Sequence, residues 1–584
     1  MKINYHLSRY KLMKSNINES SILYLERDYS NIMGVLNLSN GGFREAFLDL
    51  TRNSYSKLVL IEKGIEGRVE ISTSFTGPSL FTSQLDGNLF VYDSESSAYV
   101  GSHSKGNEID EVAFIRMLFS DNLCARPASL SLFKGLYRCP PGATITVDHL
   151  SITCRPRFNE LRLSGPSTLS GVIDDMVNET YSVADVSNKR LFLLFSGGLD
   201  SLLIGSVMKS KSKTALSVIH LLYHNLVSRT TAIATSLADH LSFDISYIES
   251  ASLRNRKIAP GRLKKLFSSG TGVLASIKNY FYYESLAEQF SAKDVLLVTG
   301  QNADTLLSLD HKFPATQLLF WERIIPTIST MSHRYGLYVK SHTMLSDESQ
   351  VIACLNKLSF TGSSTSISEH GDTSDQFGCY VESLLKDHYE ADYLGMLKAN
   401  SSQFVGYSEL ALEKVTRWYR TCGNVELNYD GLQHGLGAER HVFFNHPKFI
   451  TYGLNSIFDW KDVVFVKPRF SNLVKKLSGI SHRRAVTTAV LKYIPSLLKR
   501  KLVVSNSDDA NVVAEGPFLS NLVREEALLD GLTRLVESVS DSKIRINLLE
   551  TLKKIESRAE LNLKESKVIL RLLNIYYAIS GDLK

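Results

Sequence analysis

Two short stretches of this 584-residue chain carry the residue types that phosphate chemistry needs. The first is Ser196-Gly197-Gly198-Leu199-Asp200-Ser201. It follows the apolar run Phe192 to Phe195 and precedes Leu202 to Met208, whose apolar residues have helical spacing. That order predicts a buried parallel strand, a tight turn and a helix N-terminus. Such a turn suits an anion, because N–H groups without intrahelical partners and the positive end of the helix dipole both face it. Gly197 and Gly198 let the backbone close around the anion with no Cβ in the way. Asp200 is a hard carboxylate, placed to hold Mg²⁺ against the phosphates. A two-glycine turn can also be plain connection; the full hexapeptide after a strand is the sharper signal. It lacks the Gly-Lys-Ser/Thr ending of a Walker A loop, which points away from γ-phosphate cleavage.

The second stretch is Thr299-Gly300-Gln301-Asn302-Ala303-Asp304, at the end of the apolar run Val295–Thr299. Alone it could be a turn. Beside the first, it would put Asp200 and Asp304 at the carboxyl ends of neighbouring strands, spaced to share a divalent cation such as Mg²⁺ on bound phosphates.

These motifs need a scaffold, and the patterning supplies one. Residues 1 to about 160 show short strand patterns (Lys57–Glu62, Val69–Thr73, Leu89–Tyr92, Thr144–Val147) broken by Gly-Pro, Asp-Gly and Pro-Pro-Gly, which predicts a β-rich unit. A polar helical stretch around 165–190 bridges to the next unit. From 191 to about 500, apolar strands alternate with helices: strand Ala215–Tyr223, helix Thr231–Leu241, strand Ile245–Ile248, helix Val273–Phe290, strand Val295–Thr299. This predicts an open parallel α/β sheet with ligands at the carboxyl ends of its strands. Phe360–Gly378, rich in Ser, Thr and Gly, reads as a surface insertion or a substrate lid, and Ser505–Glu515 as a linker. The C-terminal piece is helical, with Leu528, Leu532, Leu535 and Val539 on one face and Val568, Leu572, Ile575 and Ile579 on another. The expected division is 1–165, 166–500 and 501–584.

Composition limits the function classes. Hydrophobic residues at 43% and charged residues at 22% describe an ordinary globular protein. A net charge of +6 permits an acidic small substrate without implying nucleic acid. The six cysteines (Cys124, Cys139, Cys154, Cys354, Cys379, Cys422) form no Cys-x-x-Cys pair and read as reduced, buried thiols. There is no apolar signal region after Met1 and no membrane-length apolar run, so a cytoplasmic protein is expected.

The hexapeptide resembles the pyrophosphate loop of the N-type ATP pyrophosphatases. Paired with Gly-x-x-Ala-Asp at 300–304, it resembles the synthetase domain of the asparagine synthetase family, whose superfamily includes β-lactam synthetases, carbapenam synthetases and lasso-peptide cyclases. Gly77-Pro78-Ser79-Leu80-Phe81 with Leu89-Phe90-Val91 looks like a hairpin of that family's N-terminal domain, and Lys134–Gly142 like its Leu-Pro-Pro-Gly strand. Phe443–Ile450 is similar to a segment near the substrate. The resemblance implies an Ntn-hydrolase-like β-rich sandwich, a degenerate class II glutamine amidotransferase domain. An adenine nucleotide α-hydrolase-like parallel sheet and a helical tail would follow it. It implies that Ser196, Gly197, Gly198, Leu199 and Ser201 hold pyrophosphate, that Leu194, Thr299 and Gly300 line the AMP site, and that Asp200 and Asp304 bind Mg²⁺. Lys467 falls where the family has a lysine that neutralises the departing pyrophosphate. The other reading of Lys467 is a solvated basic face, since Lys461, Arg469, Lys475 and Lys476 crowd the same stretch.

Two departures shape the expected activity. Glutamine-dependent members carry a nucleophilic cysteine at position 2, where this chain has Lys2, so glutamine hydrolysis is not expected. Asparagine synthetases carry Glu, and β-lactam synthetases Tyr, where this chain has Gln301, and a neutral amide cannot take a proton from an amine. Glu322, Asp310 and Tyr280 are other candidates for the base, unless the amine arrives deprotonated. The expectation is an ATP- and Mg²⁺-dependent ligase that adenylates a carboxylate and joins the acyl group to an amine. The favoured form is intramolecular closure of a precursor peptide, as in the lasso-peptide cyclases, with a leader peptidase as partner. The alternatives are an ammonia- or amine-dependent amidotransferase on a sugar acid or amino acid, and a non-catalytic degenerate synthetase.

Overall fold

The computed structural model describes residues 2–6, 10–14, 21–26, 43–55, 57–64, 68–77, 79–85, 87–93, 108–119, 131–148, 151–161, 169–212, 216–222, 229–249, 285–286, 288–291, 294–307, 335–359, 377, 380–381, 383–384, 393–421, 439–455, 515–525 and 528–580. Lys467, Glu322, Asp310 and Tyr280 lie outside the described residues, as do most of the insertion expected at Phe360–Gly378, most of the linker expected at Ser505–Glu515 and most of the helix expected at Val273–Phe290.

The N-terminal strands alternate apolar residues toward a shared interior, and they form two facing sheets. β2 (Tyr10–Lys14), β3 (Ser21–Glu26), β4 (Leu58–Lys63), β5 (Val69–Thr73), β9 (Ala143–Val147) and β10 (Ile152–Pro156) make an antiparallel six-stranded sheet in the order β10-β9-β5-β4-β3-β2. β1 (Lys2–His6), β6 (Leu80–Leu85), β7 (Asn88–Tyr92) and β8 (Leu136–Cys139) make a four-stranded sheet, β1-β7-β6-β8, in which β1 and β7 run parallel. Ile3, Val59, Ile61, Ile71, Leu80, Leu89, Val91, Ile145 and Val147 fill the space between them. Helices cover both outer faces: α1 (Phe43–Asn53) packs on β3 and β4, and α2 (Glu111–Phe119) joins the core around Phe81 and Tyr92.

α3 (Leu169–Ser187) leads from this unit into a parallel five-stranded sheet. Its strands are β11 (Arg190–Leu194), β12 (Ser217–Leu222), β13 (Asp244–Glu249), β14 (Val295–Thr299) and β15 (Glu439–Val442), in the order β13-β12-β11-β14-β15. The expected strands are present, lengthened or trimmed at their ends; β15 escaped the sequence reading. Side chains alternate between two cores. Leu193, Phe195, Val218 and Val298 face α3 and α4 (Leu199–Lys211), while Phe192, Ile219, Ile248, Val295 and Leu297 face the other way. That second core is shared with the tail helices Glu515–Glu525, Leu529–Glu537, Ser542–Glu556 and Leu563–Ser580. The tail stripes are therefore core: Leu528, Leu532, Val539, Leu572 and Ile575 are buried. No helix among the described residues is long and apolar enough to cross a membrane. Cys139, Cys154 and Cys354 are free thiols; Cys124, Cys379 and Cys422 lie outside the described residues.

The two units share an aromatic core. Phe75 and Phe158 of the first meet Trp418, on the helix Glu409–Thr421 of the second, edge to face at 5.6 and 5.3 Å. Next to them Tyr419 Oη donates to Gly142 O at 2.9 Å. Gly142 has φ +65°, and a Cβ there would lie 2.5 Å from Phe75 Cδ1. At the other end of the contact the Tyr55 ring lies against His441 at a tilt of 39°, centroids 3.7 Å apart, and Val442 N donates to Tyr55 Oη at 2.8 Å. Thr180 Oγ1 donates to Met176 O, so His441 Nε2–H donates to Thr180 Oγ1 at 3.2 Å.

Gly142→Ala combines a left-handed backbone with overpacking and should cost on the order of 2–4 kcal/mol. Gly135→Ala is the control. Its φ is +75°, but its Cβ would meet open space, so only the backbone cost of about 1–2 kcal/mol applies. Denaturant unfolding of both variants checks the difference. Burial, with smaller contributions from His446 and Lys57, holds His441 down to about 3. The unfolded chain, with its His near about 6.5, then binds more protons below that pH. The His441 contribution to stability is full above about pH 6.5 and declines as pH falls toward the folded value. The midpoint should therefore drop between about pH 7 and 4 by less in His441→Phe than in wild type, as thermal unfolding across pH would show.

Candidate functional site

Strand order reverses between β11 and β14, parallel neighbours in the middle of the sheet, so their carboxyl ends border the crevice where open α/β sheets bind ligands. The loop after β11 is built by short-range bonds. Gly198 N donates to Ser196 Oγ at 3.2 Å, and Ser201 Oγ–H donates to Gly198 O at 3.0 Å. With that proton committed, Ser196 O–H is the donor across the 3.3 Å gap to Ser201 Oγ. Gly198 is the N-cap of α4 with extended backbone, and no side chain among the described residues caps the helix. The first-turn N–H groups are left to face whatever enters. Ser196 is exposed at this mouth, and Asp200, in the first turn, is half-buried.

Gly197 is required by a neighbour. Its φ is +77°, and a Cβ would lie 3.0 Å from the Ala234 Cα of α5 (Arg229–Leu241). Backbone cannot yield as a side-chain tip can. Gly300, at the end of β14, plays the matching part: a Cβ there would sit 3.3 Å from Ser201 N and 3.5 Å from Asp200 Cβ. Gly300 and Ser201, 99 positions apart in the chain, therefore bring the two motifs into direct contact.

After Gly300 the chain turns through Asn302, a non-glycine residue at φ +71°. Asparagine tolerates this region better than most residues. Asn302 Nδ2 donates to Asn445 Oδ1 at 2.8 Å, both residues being buried. This bond ties the Gly300–Asp304 turn to the Phe443–Ile450 segment. That segment is a short 3₁₀ turn, Phe443–Asn445, followed by the helix Pro447–Asn455. It is anchored in turn on α3: Lys448 N donates to His446 Nδ1 at 3.1 Å, so Nε2 holds the proton and donates to Glu179 Oε2 at 2.7 Å.

Of the residues expected from sequence, Ser196, Gly197, Gly198, Asp200, Ser201, Thr299 and Gly300 come together here, with Leu194 half-buried at the end of β11. Asp304 is the second residue of α6 (Ala303–Leu307), and its side chain, like that of Leu199, lies outside the described residues. Among the described residues no three His, Cys, Asp or Glu side chains gather as a metal cage. Two carboxylates with phosphate oxygens and water would still make a normal Mg²⁺ shell, since Mg²⁺ retains much of its hydration. Two features fit a nucleotide here. The glycines leave a cradle, and the buried Thr299 Oγ1 and Gln301 Oε1 have no hydrogen-bond partner among the described residues. Sequence reading placed Asn302 in the second motif and Asn445 in the Phe443–Ile450 segment but gave neither a role, and it missed Glu179, which no local pattern marks.

In comparisons with known proteins, no family model and no curated protein matches this chain.

Thr299→Val removes a buried hydroxyl that has no hydrogen-bond partner among the described residues. The unliganded variant should be as stable as wild type or gain up to about 1–3 kcal/mol, while its affinity for magnesium ATP should fall. Thermal unfolding with and without magnesium ATP reads both effects. A less stable free variant would show that the hydroxyl is already satisfied.

Proposed function

We propose that the chain is an ATP- and Mg²⁺-dependent ligase that forms an amide. The reaction transfers AMP to a carboxylate oxygen with release of pyrophosphate. An amine nitrogen then bonds to the acyl carbon as its C–O bond to AMP breaks. The observation that carries this reading is the contact of Gly300 with the Asp200–Ser201 turn. It brings the loop and the Gly-x-x-Ala-Asp turn to one place, at the carboxyl ends of adjacent parallel strands.

In this reading Ser196, Ser201 and the backbone N–H groups from Gly197 to Leu199 hold pyrophosphate. Leu194, Thr299 and Gly300 line the AMP site, and Asp200 and Asp304 hold Mg²⁺. When bound, Mg²⁺ would draw negative charge from the phosphate oxygens. Lys467 balances the charge that builds as pyrophosphate leaves. Gln301 Oε1 can accept a hydrogen bond from the amine but cannot take its proton, so the base is another group or the amine arrives neutral. The facing sheets of the first unit, covered by α1 and α2, support a degenerate amidotransferase-like scaffold, and the five-stranded sheet supports the synthetase domain of the asparagine synthetase family. With Lys2 in place of the nucleophilic cysteine, the favoured substrate is a precursor peptide closed on itself, as in the lasso-peptide cyclases.

The test is exchange of labelled pyrophosphate into ATP, screened over amino acids, sugar acids and peptides with a free Asp or Glu side chain. Exchange should require one acid, and Asp200→Asn should abolish it without moving the unfolding midpoint. Undiminished exchange in the variant would remove Asp200 from the site.

A further inference from the structure

His220 lies on β12, outside both motifs, and is 4% exposed. Burial holds its imidazole below the ordinary value, against the opposing pull of the Phe195 carbonyl. The neutral ring has one donor and one acceptor, and both are used. Its Nδ1 lies 2.8 Å from Phe195 O, which can only accept, so Nδ1 carries the proton. Its Nε2 then accepts from Thr231 Oγ1 at 3.2 Å.

Both partners border the loop. Phe195 immediately precedes Ser196, and its N–H donates to Ile219 O at 2.8 Å, the last ladder bond of β11. Its carbonyl is the next group that would continue the ladder, and the His220 side chain takes it instead. The backbone is thereby held on β12 up to the residue where the loop must leave the sheet. Thr231 stands in the first turn of α5, the helix whose Ala234 backbone presses on Gly197. That turn is braced further, since Thr235 Oγ1 donates to Thr231 O at 2.9 Å and Tyr247 Oη donates to Thr235 Oγ1 at 2.7 Å. One ring therefore ties together the start of the loop and the wall behind its glycine.

We propose that His220 is a positioning residue that sets the anion-binding shape of the Ser196–Ser201 loop through its bond to Phe195 O, with Thr231 orienting the ring for that bond. This rests on the reading of the loop as a pyrophosphate site. His220 itself touches no ligand; it acts through the backbone.

The probe is magnesium pyrophosphate, titrated by calorimetry into the full chain, with the unliganded unfolding midpoint measured alongside. Asn places its amide N–H near the position of Nδ1, Gln near that of Nε2, and Leu keeps bulk without either bond. His220→Asn should bind within about threefold of wild type, while His220→Gln and His220→Leu should weaken binding by about tenfold or more, the effect of a buried hydrogen bond lost. A purely structural role would lower the midpoint and leave the affinity of the folded protein unchanged. Wild-type affinity in His220→Leu, or equal loss in the Asn and Gln variants, overturns the proposal. Should His220→Leu fail to fold, the Asn and Gln pair decides alone. Wild type that does not bind magnesium pyrophosphate overturns the reading of the loop itself, and with it this inference.

Discussion

The close approach of two backbones organises this molecule. Gly300 lies against the first turn of α4 at a distance no Cβ would fit comfortably, and Gly197 lies against α5 in the same way. Each contact exists because a side chain is missing, and together they bring Ser196, Ser201 and the first turn of α4 against the end of β14. The pyrophosphate site proposed for this loop needs donors that stay put when the ligand is absent, because donors that must reorganise forfeit the advantage over water. Packing supplies that rigidity. β11 and β14 are adjacent, and Val295 to Thr299 are buried throughout.

Outer layers keep the inner one still. The turn after Gly300 is tied by Asn302 to Asn445, and the Asn445 segment is tied by His446 to Glu179 on α3. The N–H of Tyr55, just past α1, donates to the same Glu179, and the Tyr55 ring packs at a tilt against His441. A continuous run of polar contacts therefore joins the N-terminal unit to the turn that carries Asp304. The N-terminal unit is thereby built into the support of that turn. The tail helices do comparable work on the opposite face, closing over Phe192, Val295 and Leu297 where a parallel sheet cannot remain bare.

The sequence by itself determined the local parts. A run of apolar residues buried on both faces reads as a parallel strand, which is why β11, β12 and β14 were legible. A glycine pair before helical spacing reads as a tight turn into a helix, and Ser196 to Ser201 makes that turn through bonds spanning five residues or fewer. The helical stripes of the tail were legible for the same reason, since they depend on a short period. The tertiary structure alone decided which strands are neighbours, and so that Gly300 would press on Asp200. It decided that the four-residue β15, charged at its start, would close the sheet edge, and that a histidine on β12 would complete the backbone bonding of Phe195. These depend on residues dozens to hundreds of positions apart, and no local periodicity encodes such pairings. His220 and Asn445 look like ordinary members of an apolar run until packing brings a carbonyl or an amide within reach. Only then does the buried polar group have a partner, and with it a reason to be there.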